Sequence, residues 1–512
     1  MKALNVLLAL LVSAAIALGV VEVGLRALGF APTEVNTEFD PDLGWRKTPG
    51  KTIERSTSEY DVTLTTDAAG LRDDYDAAPL APAGDDTFRA VFLGDSFVVG
   101  YTVDREDLFV DQLERAWSAE GRGVEVMNAG TQGYSSDQSL RWLELNGAAA
   151  APDLVVYFAY ENDIWWNGSP EYLGQDKPLY DDRGALVERP LAEPAPRSWF
   201  RSFAMGEAWY RLVSAPRIPT VTSGDITLPV EMSSRLVDPP AATLHAEQTT
   251  RALIGRMAAE CERLGSRFAV CPIPSKAQVA STSATTEAGA RIDPSRPQRI
   301  FIEAAREAGA MVIDPTVSIR SFAAEAEPYY RRDFHLNPSG NVALATALYG
   351  ALGGADAIPP VAADATPALP VGREAPGGAV PRWLLWYLGL TTALGLLYTR
   401  TYPQESALTG FGSVAALLAV VFGTALGVTS LVAALPPQAS QLTVLGLLLT
   451  ILTFVLYKLG DRVGTIAELL RSFTLRGHWY LMPLLSVLLS VGSLLVVAAS
   501  SPLVSPFIYT LF

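Results

Sequence analysis

Histidine and cysteine are scarce in this sequence of 512 residues, which contains three histidines and two cysteines. So few imidazole and thiol groups argue against a zinc site built from them. The sequence also lacks a basic stripe and basic residues interleaved with aromatic ones, and its formal net charge is -15. We therefore do not expect nucleic acid as a partner, and the acidic excess favours solubility of the region that carries it.

The two cysteines, Cys261 and Cys271, fall in a predicted helix and in the strand that follows it. We favour the interpretation that both are small buried hydrophobic side chains. A disulfide between them stays open as an alternative if this segment lies outside the cytoplasm, where disulfides persist.

Long apolar runs occur at the two ends of the chain. Residues 3–21 follow Lys2 and are long enough to span a bilayer, which favours an uncleaved anchor in residues 1–30 over a cleaved secretory signal. Further apolar runs predict a membrane domain of about four transmembrane helices in residues 382–512. These runs cover residues 383–398, 412–434, 441–457 and 481–503.

Basic residues near these runs indicate the orientation. Arg400 and Lys458 lie in loops that the positive-inside rule places in the cytoplasm, and Lys2 gives the same result for the N-terminal anchor. The sequence therefore predicts a multi-pass protein of the cell inner membrane whose middle region is periplasmic or otherwise extracytoplasmic.

Strands and helices alternate in the middle region, within a predicted domain of residues 31–352. This order predicts an α/β fold with a parallel sheet covered on both faces. A lead-in with short strands, such as Tyr60 to Leu64, comes first, and residues 353–381, rich in Ala, Pro and Gly, form a linker. The predicted sheet strands are Arg89 to Leu93, Val124 to Met127, Leu154 to Ala159, Phe268 to Pro272 and Met311 to Asp314.

Residues 165–240 interrupt the alternation, with many prolines and a hairpin predicted over Pro178 to Arg189. Because this insertion follows the carboxyl end of a strand, it lies beside the edge where such sheets bind ligands. It is either a lid or substrate platform, or an elaboration of the scaffold. Trp165 and Trp166 at its start either stack on the face of a sugar or are buried beneath the insertion.

The tripeptide Gly94-Asp95-Ser96 follows the first strand of the alternation directly. Glycine permits a sharp turn, and nucleophiles collect at strand-to-helix turns of α/β sheets. Ordinary turn chemistry is the alternative for the tripeptide taken alone.

A base for Ser96 must come from the three histidines. His245 falls inside a predicted helix, and His478 lies beside the last predicted membrane helix on its cytoplasmic side. His335 lies in a loop of the α/β region, and Asp333, two residues earlier, can hold the second imidazole nitrogen. Scarcity therefore selects Ser96, His335 and Asp333 as the candidate catalytic triad.

An acyl-transfer site also needs donors that stabilise an oxyanion. The candidates are the N–H of Ser96 at a helix start, the N–H of Gly133 in a turn and the side-chain amide of Asn162. Glycine and asparagine are common in turns, so each alone indicates little. Each of the three follows a predicted strand of the parallel sheet, so together they are expected to lie at one edge of that sheet and to form one site.

Residues 88–352 resemble SGNH (GDSL-type) hydrolases in four blocks, which are Gly94-Asp95-Ser96, residues 128–133, Asn162-Asp163 and residues 333–338. The resemblance implies a flavodoxin-like three-layer α/β/α fold and a Ser-His-Asp esterase mechanism without metal or other cofactor. It also implies that Gly133 and Asn162 bind the oxyanion.

Two positions depart from the family pattern. Tyr160 occupies the place where the third block usually begins with glycine, which narrows the site and makes Tyr160 a candidate substrate-binding residue. Only Phe334 separates Asp333 from His335, a spacing that is a variant in the family.

The C-terminus carries a second, weaker resemblance. Residues 466–512 resemble a small, uncharacterised family of bacterial membrane proteins, which tend to accompany polysaccharide or natural-product genes.

Together these patterns predict a membrane-anchored serine esterase that hydrolyses or transfers a short acyl group, above all acetyl. The expected partners are a glycan or another acylated small molecule of the envelope, and the lipid bilayer. One alternative is the O-acyltransferase component of a polysaccharide modification system. Another is a non-catalytic glycan-binding or assembly module, docked to a membrane acyltransferase or a polysaccharide-assembly protein.

Overall fold

A computed structural model describes most of the chain up to residue 433, in two compact units. The first unit comprises residues 33–196 and 216–374, and the second residues 1–32, 197–215 and 375–512. The described residues are 18, 19, 22, 32, 34–57, 59–72, 87–210, 218–281, 283–287, 289–354, 357–360, 382–401, 403–404 and 406–433. His478, the apolar runs beyond residue 433 and nearly all of the predicted N-terminal anchor lie outside them. Of the predicted linker, residues 353, 354 and 357–360 are described, and Ala357 and Ile358 among them are buried.

Two antiparallel hairpins open the first unit. Strand β1 (Thr37–Asp40) pairs with β2 (Gly44–Lys47), and β3 (Thr52–Ser56) pairs with β4 (Asp61–Thr65). Alternate residues of β4 are buried and exposed, as in a half-buried strand. The sequence predicted short strands in this lead-in and located one over Tyr60 to Leu64, one residue early. It gave no bounds for the other three, which are short and rich in polar residues.

A five-stranded parallel sheet forms the centre of the first unit. The later strands are Phe88–Leu93 (β5), Val124–Asn128 (β6), Leu154–Ala159 (β7), Glu171–Tyr172 (β8), Gln175–Asp176 (β9), Thr220–Ser223 (β10), Ile226–Pro229 (β11), Arg267–Pro272 (β12), Thr285–Glu287 (β13), Ala290–Ile292 (β14) and Met311–Val312 (β15). The sheet order is β6-β5-β7-β12-β15. Numbered along the chain, this is the 2-1-3-4-5 order of flavodoxin-like sheets. The predicted α/β fold with a parallel sheet is therefore confirmed.

Helices connect the strands and cover the sheet. They are Ser96–Val99 (α1), Phe109–Ala119 (α2), Ser136–Ala150 (α3), Glu161–Asn167 (α4), Ala204–Trp209 (α5), Ala241–Leu264 (α6), Lys276–Ala280 (α7), Arg296–Glu307 (α8), Thr316–Phe322 (α9), Pro338–Gly354 (α10), Arg382–Thr401 (α11) and Ala407–Ala433 (α12). Short 3₁₀ helices cover Arg105–Asp107, Trp199–Ser202 and Val230–Arg235. Helix α6 ends where Gly265 adopts a left-handed conformation with φ 74°.

Successive side chains of β5 enter two different cores. Ala90 and Phe92 pack with side chains of α2, α9 and α10, whereas Val91 and Leu93 pack with side chains of α3, α6 and α8. This alternation is the two-residue period of a strand. Because all four side chains are at most 1% exposed, both faces of the sheet are covered by helices. Full burial of a side chain of the size of Phe92 contributes about 1.5–3 kcal/mol.

The cysteines lie on opposite sides of this sheet. Cys261 in α6 belongs to one core and Cys271 in β12 to the other, and both are unpaired. The sheet separates the two thiols, so the disulfide alternative is excluded and the buried-hydrophobe interpretation is correct. Burial raises the pKa of Cys261 to about 12 and that of Cys271 well above its usual value.

The insertion contains short elements rather than a domain of its own. The predicted hairpin over Pro178 to Arg189 is reduced to one bridge, between Tyr180 and Leu186, around a turn that includes Gly184 with φ 74°. Proline occurs at both ends of this segment and prevents longer pairing. Hairpins β8–β9 and β10–β11, which the sequence reading missed, lie before and after it.

In the second unit, α11 and α12 cover the first two apolar runs predicted near the C-terminus. The Tyr387 hydroxyl donates to the Ala415 carbonyl oxygen at 3.1 Å, so the two helices are in contact. Among the described residues, no helix combines the length and apolar character that crossing a bilayer demands.

Candidate active site

The turn after β5 presents Ser96. Asp95 is the N-cap of α1, and its carboxylate accepts a hydrogen bond from the Phe97 N–H at 2.9 Å. A Cβ at Gly94 would lie 2.8 Å from the Phe158 carbonyl oxygen and 2.7 Å from a methyl group of Val98. Only glycine lets β5 end this close to β7, so Ser96 starts its helix at the carboxyl edge of the sheet.

The structure brings Ser96, His335 and Asp333 together across 239 residues of chain. His335 Nε2 lies 2.6 Å from Ser96 Oγ, and His335 Nδ1 lies 2.6 Å from Asp333 Oδ1. The same Oδ1 accepts the main-chain N–H of His335 at 3.0 Å. Asp333 and His335 can therefore pair although only Phe334 separates them, because one carboxylate oxygen contacts both the main chain and the ring of His335.

Electrostatics keeps the Asp333 carboxyl ionised. Burial acts to raise its pKa, but the hydrogen bonds and charge of His335, with a hydrogen bond from Tyr60, outweigh burial, and the pKa lies below its usual value. Asp95 differs, because burial raises its pKa to about 6 although the Phe97 N–H and the His335 charge act in the opposite direction. Asp333 is therefore the anion that faces the imidazole ring.

The three predicted oxyanion donors follow three neighbouring strands, β5, β6 and β7. Gly133 has φ 76°, and a Cβ there would lie 2.8 Å from the Tyr172 ring, so the position requires glycine. Asn162 stands in the first turn of α4, and its buried Oδ1 has no hydrogen-bond partner among the described residues. The Thr131 N–H donates to the Gly94 carbonyl oxygen at 3.0 Å and joins the Gly133 loop to the Ser96 turn.

Two further residues of the blocks support these turns. Asn128 donates from Nδ2 to the Val98 carbonyl oxygen at 2.7 Å, which links β6 to α1. Asp163 Oδ2 accepts from the Tyr157 hydroxyl at 2.6 Å and from the Tyr160 N–H at 3.0 Å. Burial, followed by the charge of Asp95, raises the pKa of Asp163 well above its usual value.

An aromatic wall flanks the imidazole. The Phe334 ring stacks on His335 at 4.2 Å, and Phe97 lies 4.8 Å from the same ring. Tyr160 packs against Phe97 at 4.6 Å and against Phe334 at 5.9 Å, and is 6% exposed. The Tyr160 side chain thus occupies space that a glycine at this position would leave open, and it narrows the site. The sequence reading did not identify Phe97 and Phe334 as wall residues, although both adjoin block residues.

The two tryptophans of the insertion have different environments. Trp166 is 3% exposed, and its Nε1 donates to Glu231 at 2.6 Å. Its ring meets the Tyr172 ring edge-on at 4.9 Å, so the burial alternative describes Trp166, which is closed to a sugar. Trp165 is half-buried and keeps an accessible surface. His245, which the sequence places inside a helix, lies in α6 and is exposed.

Metal-binding groups are not assembled in the part of the chain that the structure describes, where no three His, Cys, Asp or Glu side chains are placed to hold an ion. The site instead offers a hydroxyl, an imidazole and a carboxylate in one line, with candidate donors at adjacent strand ends. This arrangement can transfer an acyl group through a serine ester.

The fold and this line of three groups are those of a serine hydrolase. Residues 92–343 match the model of the GDSL-like Lipase/Acylhydrolase family. This part of the chain is a GDSL-like lipase/acylhydrolase domain, and the protein is a serine hydrolase that acts on ester bonds. Residues 463–512 match a family of unknown function, DUF5989. No curated protein matches the sequence significantly.

Solved structures similar to the chain include an acetyl xylan esterase, AlAXEase, at 14% identity and TM-score 0.31, covering 52% of this chain and 100% of that one. A lipase/acylhydrolase from Enterococcus faecalis has 14% identity and TM-score 0.30, covering 55% of this chain and 99% of that one. The structure of TesA has 12% identity and TM-score 0.30, and the match covers 52% of this chain and 98% of that one. At these values the assignment depends on the family match alone.

Proposed function

We propose that the protein is a membrane-anchored serine esterase that removes a short acyl group, above all acetyl, from an envelope glycan or a similar acylated molecule. The observation that carries this proposal is the line from Ser96 through His335 to Asp333, with both contacts at 2.6 Å. The aromatic wall of Phe97, Tyr160 and Phe334 supports a short acyl group, because it occupies space beside the imidazole.

In the proposed mechanism, Ser96 Oγ attacks the ester carbonyl carbon while His335 Nε2 takes the hydroxyl proton. Asp333 orients the imidazole and stabilises its charged form. The carbonyl oxygen becomes an oxyanion, which the N–H groups of Ser96 and Gly133 and the Asn162 amide stabilise. The ester C–O bond then breaks, the alcohol leaves with the proton from His335, and the acyl group stays on Ser96. Water activated by His335 releases the acid and restores the serine.

A sugar hydroxyl in place of water would make the same acyl-enzyme an O-acyltransferase, with a membrane acyltransferase or polysaccharide-assembly protein as a partner. The first half of the reaction is identical in both cases. A non-catalytic binding module, in contrast, would not need a hydroxyl, an imidazole and a carboxylate in line. The assembled triad therefore favours the enzyme over the module.

Membrane anchoring is supported by the apolar residues 3–21 and by the apolar runs of residues 441–457 and 481–503. Next to the first run, the Glu22 carboxylate accepts the N–H groups of Ala204 and Met205 at 2.8 and 3.2 Å, at the start of α5. Trp199 and Trp209 in this segment are 76% and 60% exposed. Tryptophans are enriched where membranes meet water, so their exposure fits a segment at the bilayer surface.

The test of the esterase uses the full chain in detergent and a fluorophosphonate probe, with the adduct located by mass spectrometry. We expect one adduct on Ser96 that is absent from Ser96→Ala and His335→Ala. A folded wild-type chain that takes up no probe would overturn the esterase proposal.

Two further measurements test the acceptor and the anchor. Product analysis on an acetylated oligosaccharide, with and without an unacetylated glycan, separates hydrolysis from transfer. Carbonate extraction of membranes tests the anchor, and release of the chain into the supernatant would contradict it.

A further inference from the structure

The segment of residues 34–72 lies upstream of the residues that match the family, yet its side chains reach the loops of the active site. We propose that its hairpins, β1–β2 and β3–β4, position the catalytic groups, and that Tyr60 is a positioning residue for Asp333. We call residues 34–72 the N-terminal brace. This inference rests on the proposed catalytic roles of Asp333 and Gly133.

The hairpin β3–β4 contacts the Asp333 loop. The Tyr60 hydroxyl donates to Asp333 Oδ2 at 3.2 Å, while Oδ1 binds His335. The Glu59 carboxylate accepts the N–H groups of Arg332 and Asp333 at 2.9 and 3.0 Å. Two adjacent residues of the brace therefore hold the carboxylate and the main chain of Asp333, and restrict rotation of the carboxylate away from His335.

The groups around the Tyr60 hydroxyl limit how it can act. Tyr60 is 7% exposed, and its ring packs against Tyr330 at 5.1 Å. Arg55 Nη2 donates to the same hydroxyl at 3.1 Å. Because the hydroxyl oxygen accepts from an arginine, its own proton is directed at the carboxylate. Loss of the hydroxyl would remove a donor from a largely buried anion, a strong type of hydrogen bond.

The hairpin β1–β2 contacts the loop that carries Gly133. Lys47 Nζ donates to the Gly130 carbonyl oxygen at 2.5 Å, and Trp45 Nε1 donates to the Gln132 carbonyl oxygen at 3.0 Å. Both side chains are at most 5% exposed. These bonds lie three residues and one residue before Gly133, so they direct the main chain from which its N–H projects.

A third contact reaches the end of the Ser96 helix. Arg72 donates to the carbonyl oxygens of Val99, Gly100 and Val103, the last at 2.8 Å. The helix that begins at Ser96 and the loops that carry Gly133 and Asp333 thus each have their own hydrogen bonds to the brace. A contribution to stability alone would affect these loops together, whereas positioning predicts a separate kinetic effect for each contact.

The first experiment compares Tyr60→Phe with Tyr180→Phe in the full chain in detergent. Tyr180 is a matched control, because it is also buried and its hydroxyl also donates to a carboxylate, that of Glu144 at 3.1 Å. We expect Tyr60→Phe to lower kcat for p-nitrophenyl acetate about 10-fold with little change in KM. The acidic limb of its kcat/KM profile should move to higher pH, because a carboxylate without its donor holds the triad's proton more tightly.

A spectroscopic measurement makes the test independent of turnover. The chain has three histidines, so ¹⁵N-histidine labelling gives few imidazole signals, and His335→Ala identifies that of His335. We expect the Nδ1–H resonance to move in Tyr60→Phe and to stay in place in Tyr180→Phe. An unchanged resonance and an unchanged pH profile in folded Tyr60→Phe would overturn the proposal for Asp333. A moved resonance in a chain without esterase activity would support the brace and contradict the proposed function.

The second variant, Trp45→Phe, tests the β1–β2 contact by removing the indole N–H while a ring remains. We expect kcat to fall about 5- to 10-fold at constant KM, because oxyanion contacts act in the transition state. The pH profile should not move, which distinguishes this contact from that of Tyr60. Wild-type kcat in folded Trp45→Phe would overturn the proposed positioning of Gly133.

Discussion

The loops that carry the reacting groups and the brace that contacts them differ in how the sequence encodes them. Ser96 and Asp333 lie in short blocks whose neighbours in sequence are also their neighbours in space. The brace residues are isolated, and their partners are distant: 83 residues separate Lys47 from Gly130, and 273 residues separate Tyr60 from Asp333. The reacting loops can be recognised in the sequence, whereas the brace can be recognised only in the structure.

The difference has a physical origin. A strand-to-helix turn that exposes Ser96 demands glycine at position 94, and a left-handed turn beside the Tyr172 ring demands glycine at position 133. Few residue types satisfy such local geometry, so it leaves a pattern. A brace needs only a donor of suitable length at the end of a long-range contact, and lysine, tryptophan, tyrosine and arginine all supply one here.

The largest effects should come from the reacting loops. We expect Ser96→Ala and His335→Ala each to lower kcat about 10⁴-fold or more, because in the proposed mechanism Ser96 carries the acyl group and His335 activates both the serine and the water. Ester hydrolysis in detergent is the measurement. Ser118→Ala and His245→Ala, at exposed positions of α2 and α6, are controls that should retain wild-type activity. If Ser96→Ala retained wild-type activity, Ser96 would not be the nucleophile.

The oxyanion donor is expected to have the next largest effect. Asn162→Ala should lower kcat about 10²- to 10³-fold with little change in KM, since the amide stabilises charge that exists only in the transition state. Asn146→Ala, whose amide donates to the Trp142 carbonyl oxygen within α3, is the matched control. A rise in KM at constant kcat would show instead that Asn162 binds the substrate in its ground state.

A brace residue should have a smaller effect on rate. We expect Lys47→Met to lower kcat about 10-fold, because the Gly130 carbonyl oxygen loses its donor.

The same substitution should change how stability depends on pH. Burial lowers the pKa of Lys47 to about 7, against the charge of Asp67. Between pH 7 and 10.5 the folded state therefore binds fewer protons than the unfolded state. Wild-type stability should rise with pH there, by at most about 1.4 kcal/mol per pH unit.

Lys47→Met should lack this increase, which denaturant unfolding at several pH values measures. Lys276→Met, whose half-exposed ammonium donates to the Tyr330 carbonyl oxygen, is a control that should retain the increase. If the free energy of unfolding rose equally with pH in wild type and in Lys47→Met, the buried Lys47 amine would not be the source of the increase.

The smallest expected effect concerns the insertion. Trp165→Ala should raise KM for an acetylated oligosaccharide a few-fold and leave p-nitrophenyl acetate unaffected, if the accessible part of the ring binds sugar. Initial rates on the two substrates are the measurement. An equal loss on both would show that Trp165 supports the fold, as Trp166 does.

Hydrophobic alternation was sufficient to predict the parallel sheet, because buried strands and amphipathic helices differ in period. The candidate triad was also predictable, since Asp333 precedes the sole histidine found in a loop of the α/β region. Trp166 could not be placed in this way. Its burial depends on Glu231, 65 residues later, and no local pattern indicates that contact.

Local patterns in the sequence were sufficient to predict the α/β order and the candidates Ser96, His335, Gly133 and Asn162, because each depends on a local period or a local turn. The serine hydrolase class followed from the resemblance of the four blocks to a known family. Tertiary structure decided what depends on distant packing. It separated Cys261 from Cys271 by a sheet, and it placed Phe97 and Phe334 around the imidazole with Tyr160. It also brought Tyr60 to Asp333, because a contact between residues far apart in the chain exists only after the fold has formed.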